Sequence, residues 1–203
     1  MNKDQFLEIV ATGREGRNLE FKRSMPWDTT EWKAKLVKSV LAFSNVRDGG
    51  RIIIGVEERD GGEFQFTGMT DEHFATYNQD DVDSEVAKYA DPYARLSVNK
   101  VPVDERKFVV LEIEEFGEMP VICKRNGASN LRTGAIYTRP YGKAETVEVP
   151  SQTELREILE LATDMAARKL IATMQRIGVV NVPQAPPAPN VDDQYNHQLL
   201  DLE

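Results

Sequence analysis

Cys123 is the one cysteine in a chain of 203 residues, so neither an internal disulfide nor a thiolate-rich zinc cluster is available. Histidine is almost as scarce, with only His73 and His197. A Ser-His-Asp or Cys-His catalytic site would have to rest on His73, in a loop-like acidic stretch. Zinc would lack ligands. No Gly-x-x-x-x-Gly-Lys-Ser/Thr loop and no Gly-x-Gly-x-x-Gly turn occurs, which sets aside a P-loop ATPase and a dinucleotide fold. No apolar run approaches the ~18 residues of a membrane span. The first residues, Met-Asn-Lys-Asp-Gln-Phe-Leu-Glu, form no signal-peptide hydrophobic core. The expected location is the cytoplasm.

Positive charge is also in deficit. The net charge is −9, which argues against a simple electrostatic nucleic-acid binder. The distribution is uneven, however. Residues 1–60 carry 11 Lys/Arg against 10 Asp/Glu, and residues 119–150 carry 5 against 2. The acid is concentrated in residues 61–118, with 14 Asp/Glu against 5 Lys/Arg.

Hydrophobic residues make up 40 % of the chain, enough for one well-buried core. One domain is expected over residues 1–178. From 179 a Pro-rich linker leads into an acidic, disordered tail ending at 203. Residues 3–11 read as a short helix and Asn18–Lys22 as a strand. Proline at 26 turns Met25 away from helix, so Trp27 lies in a loop, as a core plug. Asp28 is the expected N-cap of a helix from Thr30 to Asn45, with Trp32, Leu36, Val37, Val40 and Leu41 at helical spacing.

Asp48-Gly49-Gly50 turns the chain into a β-branched strand, Arg51–Glu57. Asp60-Gly61-Gly62 signals a hairpin with Glu63–Thr67 returning. Residues 69–79 are loop-like, and Asp80–Ala90 is helical. Strands follow at Ala94–Val101, Lys107–Glu114, Pro120–Arg125 and Ala135–Arg139. A capping box, Ser151-x-x-Glu154, opens a long helix to Ile177. Its apolar side is Leu155, Ile158, Leu159, Ala162, Met165, Ala166 and Leu170.

Four constellations carry chemistry. Glu20 and Lys22 stand two apart on a strand and share a face. A carboxylate there can hold a metal and a lysine can steady charge on phosphate. The plainer reading is an ion pair on a strand face. Glu15 approaches the same strand, and Glu57 and Glu58 follow the Ile-Ile-Ile-Gly-Val run. If the strands are neighbours, three acids meet, and magnesium or manganese favours such oxygen ligands. The plainer reading, a charged hairpin end, is preferred on these residues alone. Asn45 before the Asp48-Gly49-Gly50 turn either helps cradle an anion or ends a helix, and the helix end is preferred. Arg132, Tyr137, Arg139 and Lys143 mix bases with aromatics. They make either a phosphate-and-base surface or an ordinary solvated strand.

Taken in order, Glu15 to Ser24 (Glu-x-x-x-x-Leu-Glu-Phe-Lys-x-Ser), Ala42 to Asn45 and Gly49 to Glu57 resemble the Schlafen-type AlbA_2 domain. Arg132 to Arg139 resembles its closing strand. The resemblance implies an α+β fold, a mixed or antiparallel sheet flanked by helices, here with a long C-terminal helix. It implies nucleic-acid binding. Bacterial members are described as DNA-binding or ATP-binding domains, often fused to a helix-turn-helix region. Some animal members are metal-dependent endoribonucleases acting on transfer and ribosomal RNA, using three acids. Carried over, these give Glu15, Glu20 and Glu58 (or Glu57) as metal ligands for Mg2+ or Mn2+. The family usually has aspartate at the third place, and serine where Gly16 stands.

Lys22 then stabilises phosphate charge, and Arg23, Arg132, Tyr137, Arg139 and Lys143 contact nucleic acid. The animal nucleases pair two lobes in one chain, so a clamping groove here requires a homodimer. The leading expectation is thus a nucleic-acid-binding protein, with Mg2+- or Mn2+-dependent hydrolysis of structured RNA such as tRNA as its candidate activity. The rival is a non-catalytic DNA- or RNA-binding or oligomeric adaptor module, regulator-like, whose long helix oligomerises and whose tail recruits a protein. Nucleotide binding comes third.

Overall fold

The computed structural model describes residues 3–11, 13–59 and 61–179. The fold is α+β, as expected. Its centre is a four-stranded sheet in the order β1-β2-β7-β6. Strand β1 (Leu19–Lys22) runs parallel to β2 (Gly50–Ile54), and helix α2 (Thr30–Ser44) makes the crossover between them. Strand β7 (Arg106–Ile113) pairs antiparallel with β2 and with β6 (Leu96–Val103).

The unbroken Ile52-Ile53-Ile54 run follows from this position. A central strand is covered on both faces, so no polar alternation is needed. Ile52 and Ile54 join Val109, Leu111 and the buried side of α2 on one face. On the other, Ile53 packs with Phe21, Phe108, Val110 and Phe6 of helix α1 (Lys3–Val10). Each such side chain withdrawn from water contributes about 1.5–3 kcal/mol.

Helix α2 is capped by Thr29, whose side chain accepts from Trp32 N at 3.3 Å; the expected Asp28 cap is one residue early. Asn45 ends the helix as a buried staple. Its Nδ2 donates to Leu41 O, Val121 O and Tyr137 O, and its Oδ1 accepts from Val121 N at 2.8 Å. No donor of that amide is left for an anion. The turn that follows needs glycine, because at Gly49 (φ 65°) a Cβ would lie 2.0 Å from Ile113 O. Trp27 is buried, as a plug against Tyr77.

The remaining strands are two-residue pairs: β3 (Glu57–Glu58) with β4 (Phe64–Gln65), β5 (Ala90–Asp91) with β8 (Ile122–Cys123), and β9 (Tyr137–Thr138) with β10 (Val147–Glu148). Asp60 of the hairpin signal lies outside the described residues. The loop expected over 69–79 contains helix α3 (Asp71–Ala75), capped by Thr70. Helix α4 (Gln79–Ala87) is capped by Asn78. Gln79 also closes the open side of β6, donating to Leu96 O and accepting from Val98 N.

The chain divides into two compact units, 1–165 and 166–203. Helix α5 (Gln152–Arg176) opens on Ser151, whose hydroxyl accepts from Thr153 N and meets Glu154. Of its expected apolar side, Ile158 is buried while Leu155 and Leu159 are exposed; the second buried residue is Leu161, outside that set. In the second unit the helix closes with Gly178 at φ 74° and Val179 N donating to Met174 O. The Pro-rich linker and tail from Val180, with His197, lie outside the described residues.

Candidate functional site

The site begins at a tight reversal before β1. Gly16 and Leu19 exchange backbone hydrogen bonds, 3.0 and 3.3 Å, so the chain doubles back. That reversal lays Glu15 beside the edge strand, where its Oε1 accepts from Phe21 N at 2.6 Å. The opposite wall comes from the bend after β2. Gly55 N and Val56 N both donate to Lys22 O, at 2.8 and 2.9 Å, which ties the bend to the end of β1. Gly55 holds φ 112° there, and a Cβ would crowd Gly68 and Phe108 at 3.0 Å. Hairpin β3–β4 therefore starts directly across from Lys22.

The result is an open groove of about 440 Å³ lined by Glu15, Lys22, Arg23, Glu57, Glu58 and Phe64. Five residues singled out in the sequence thus share one groove. Three are carboxylates, hard oxygen donors of the kind magnesium and manganese take. As placed, no group of three His, Cys, Asp or Glu among the described residues could hold a metal ion. Glu57 and Glu58 are exposed. Burial holds the Glu15 carboxyl above its ordinary range, with the charge of Glu20 acting the same way. The Phe21 N–H, Lys22 and Arg139 oppose them.

Glu20 does not line this groove. It shares a strand face with Lys22, and the two form an ion pair. Its other oxygen faces Arg139 Nη1 at 3.2 Å, and neither of those two buried atoms makes a hydrogen bond. Arg139 has a fully buried side chain, 0 % exposed. Its Nε and Nη2 donate to Arg17 O and Gly16 O, each at 3.1 Å, and its guanidinium lies over the Phe43 ring. Burial lowers the Arg139 pKa, and the charges of Glu20 and Glu15 pull it back up. Arg17 returns the clasp. Its Nε donates to Arg139 O at 2.9 Å, and its two terminal nitrogens hold Glu157 of α5 at 2.6 and 2.7 Å. Tyr141 stacks on Arg17 and donates to Glu157.

The surface expected over residues 132–143 is corrected by burial. Arg139 and Tyr137 share no exposed face, because α2 covers both. The Tyr137 hydroxyl donates to Asn130 O and accepts from Arg132 N, while Lys38 lies over its ring. Arg132 and Lys143 are exposed and pair with Glu148 and Glu145.

Sequence reasoning missed the Arg17–Glu157–Tyr141 clasp, whose partners stand 140 and 16 residues apart. It also missed a contact at the end of β1, where Ser24 Oγ lies 2.9 Å from His73 Nδ1. A motif-bearing arginine within three residues of Glu20 was the available signal for the first. Nothing local marked the second.

The family model described as Schlafen, AlbA_2 matches residues 15–146. No curated protein sequence matches the chain. Among solved structures, the crystal structure of the DIP2311 protein from Corynebacterium diphtheriae is similar at 16% identity and a TM-score of 0.46. The match covers 72% of this chain and 26% of that one, so the chain spans about a quarter of that protein's length. The solution structure of the N-terminal domain of an ATP-dependent DNA helicase RecG-related protein from Nitrosomonas europaea is similar at 22% identity and a TM-score of 0.48. There 75% of this chain and 96% of that one are covered.

Proposed function

The chain belongs to the Schlafen AlbA_2 family, and from that premise we propose that it is a cytoplasmic nucleic-acid-binding protein whose working site is the groove beside β1. The observation that carries this reading is the meeting of Glu15, Lys22, Arg23, Glu57 and Glu58 along one groove. They come from the approach to β1, from its end and from hairpin β3–β4.

The finer reading is a Mg2+- or Mn2+-dependent endoribonuclease acting on structured RNA such as tRNA. The donor set fits such an ion in kind. Glu15 with Glu57 or Glu58 would be its carboxylate donors, although as placed they form no three-ligand group. When bound, the ion would supply Lewis-acid polarisation of a phosphate and a water of lowered pKa. The chain's own residues do the rest. Lys22 and Arg23 attract and place the phosphate backbone. Lys22 is paired with the buried Glu20 and lines the groove. Glu20 acts through Lys22 and Arg139 as a positioning residue.

The test is incubation with tRNA and with single-stranded DNA, in Mn2+ and in chelator. Cleavage of tRNA that needs Mn2+ and is lost in a Glu15→Gln, Glu58→Gln double variant supports the nuclease. Salt-dependent binding without cleavage leaves the coarser reading and favours a regulator-like module. No binding at low salt sinks both.

A further inference from the structure

The acidic segment 61–118 gives the first groove only Phe64, and it supplies most of the wall of a second groove. That groove, about 570 Å³, runs between the β5–β6 connection and the loop after β7. Its walls are tied at both ends. Glu114 N donates to Arg95 O at 3.0 Å at one end, and Asp91 pairs with Ile122 across β5 and β8 at the other. Phe116 N donates to Ser44 O at 2.8 Å, which fixes the loop to the end of α2. The groove is therefore preformed.

Its floor is apolar, with Ala94 and Phe116 buried. Its lip carries Tyr93, Met119 and Ile122, which are 53%, 65% and 40% exposed. Large apolar side chains gathered on one groove mark interaction sites in a way that scattered ones do not. Asp91, Glu114, Glu115 and Glu118 surround them; Glu115 accepts from Asp48 N at 2.8 Å, and Arg95, 3.6 Å from Glu114, is the cation among the described lining residues.

We propose that this groove docks a segment of another protein that carries an apolar anchor flanked by lysine or arginine. The floor and lip take the anchor, and the acids take the flanking cations. The acid rim repels a phosphate backbone, so the surface does not suit nucleic acid. The chain's own residues 180–203 contain four Asp/Glu and no Lys or Arg, so the same rim repels them. The proposal is independent of the nuclease reading, and its residues are remote in sequence from Glu15 to Arg23.

The experiment uses the full chain and two fluorescein-labelled peptides. One has a central Trp-Leu pair flanked by arginines, and the other has the same core flanked by glutamates. Anisotropy should rise with the arginine peptide alone. A Tyr93→Ala, Met119→Ser double variant should weaken it about tenfold or more, as loss of central anchors does. A Glu114→Lys, Asp91→Lys variant should weaken it similarly, with tRNA binding unchanged in both. These positions are exposed, so the variants should keep their circular dichroism. Equal arginine-peptide binding by wild type and the Tyr93, Met119 variant overturns the proposal. So does weaker tRNA binding in that variant, which would assign the face to RNA, or a dimer that Met119→Ser dissociates, which would assign it to a second copy.

Discussion

Two charge clusters meet at β1 and follow opposite rules. In the clasp, Glu20, Arg139, Arg17 and Glu157 are buried or half-buried, and each charge is met by an opposite charge or by carbonyls. In the groove, Glu15, Glu57 and Glu58 outnumber Lys22 and Arg23; Arg23, Glu57 and Glu58 stand open to water, and Glu15 and Lys22 are half-buried. A buried charge stripped of its partner is expensive, so the clasp has to close on itself. An open set costs little and stays available, its carboxylates for a cation and Lys22 and Arg23 for phosphate. Lys22 belongs to both clusters, which is how the rigid one orients the available one.

The sharpest way to break this contrast is Arg139→Met. It removes a fully buried cation, leaving Glu20 with Lys22 alone and the carbonyls of Gly16, Arg17 and Leu19 without the guanidinium. Urea unfolding should show a loss of about 3–5 kcal/mol. Arg139→Lys should recover only part of it, because one ammonium cannot replace the guanidinium fork. A loss below about 1 kcal/mol would mean that the clasp holds nothing. Glu20→Gln comes next, at about 2–3 kcal/mol, since the amide keeps the shape and one acceptor but not the charge.

Glu15→Gln should behave differently from Glu20→Gln, although both replace an acid by its amide. Its amide oxygen can still accept from Phe21 N, so the fold keeps that bond. Burial raises the Glu15 pKa in the folded state, so the stability contributed by its protonated form is lost as pH rises through that raised value. The variant cannot ionise. It should match wild type in acid and become the more stable of the two as pH increases, while losing groove function. Thermal melts across the acid-to-neutral range read this directly. A wild type that gains on the variant with rising pH would reverse the sign. Smallest of all, Arg132→Ala and Lys143→Ala should each change stability by less than about 0.5 kcal/mol, because their pairs are exposed.

The same contrast explains what could be read from the chain. Glu20 and Lys22 share a face because strand alternation is a local rule. The Ile52–Ile54 run announced a doubly covered strand. Alternation also put Tyr137 and Arg139 together, but it cannot say whether their face meets water. That depends on α2, a helix built from residues about a hundred positions earlier. An arginine at 0 % exposure runs against every compositional expectation, and three carbonyls on residues 16–19, the charge of Glu20 and the Phe43 ring make it tenable. Helix α3 escaped notice because five residues leave no periodicity to detect. The long helix was legible as a helix, but not in which of its apolar residues are covered.

The central claim is that the open cluster, not the strand 132–143, receives nucleic acid. A titration of fluorescein-labelled tRNA at low salt, comparing a Lys22→Gln, Arg23→Gln variant with an Arg132→Ala, Lys143→Ala variant, tests it most directly. The first should bind about tenfold more weakly than wild type, with a shallower salt dependence, and the second within about twofold. Wild-type affinity in the first variant with a large loss in the second would contradict it.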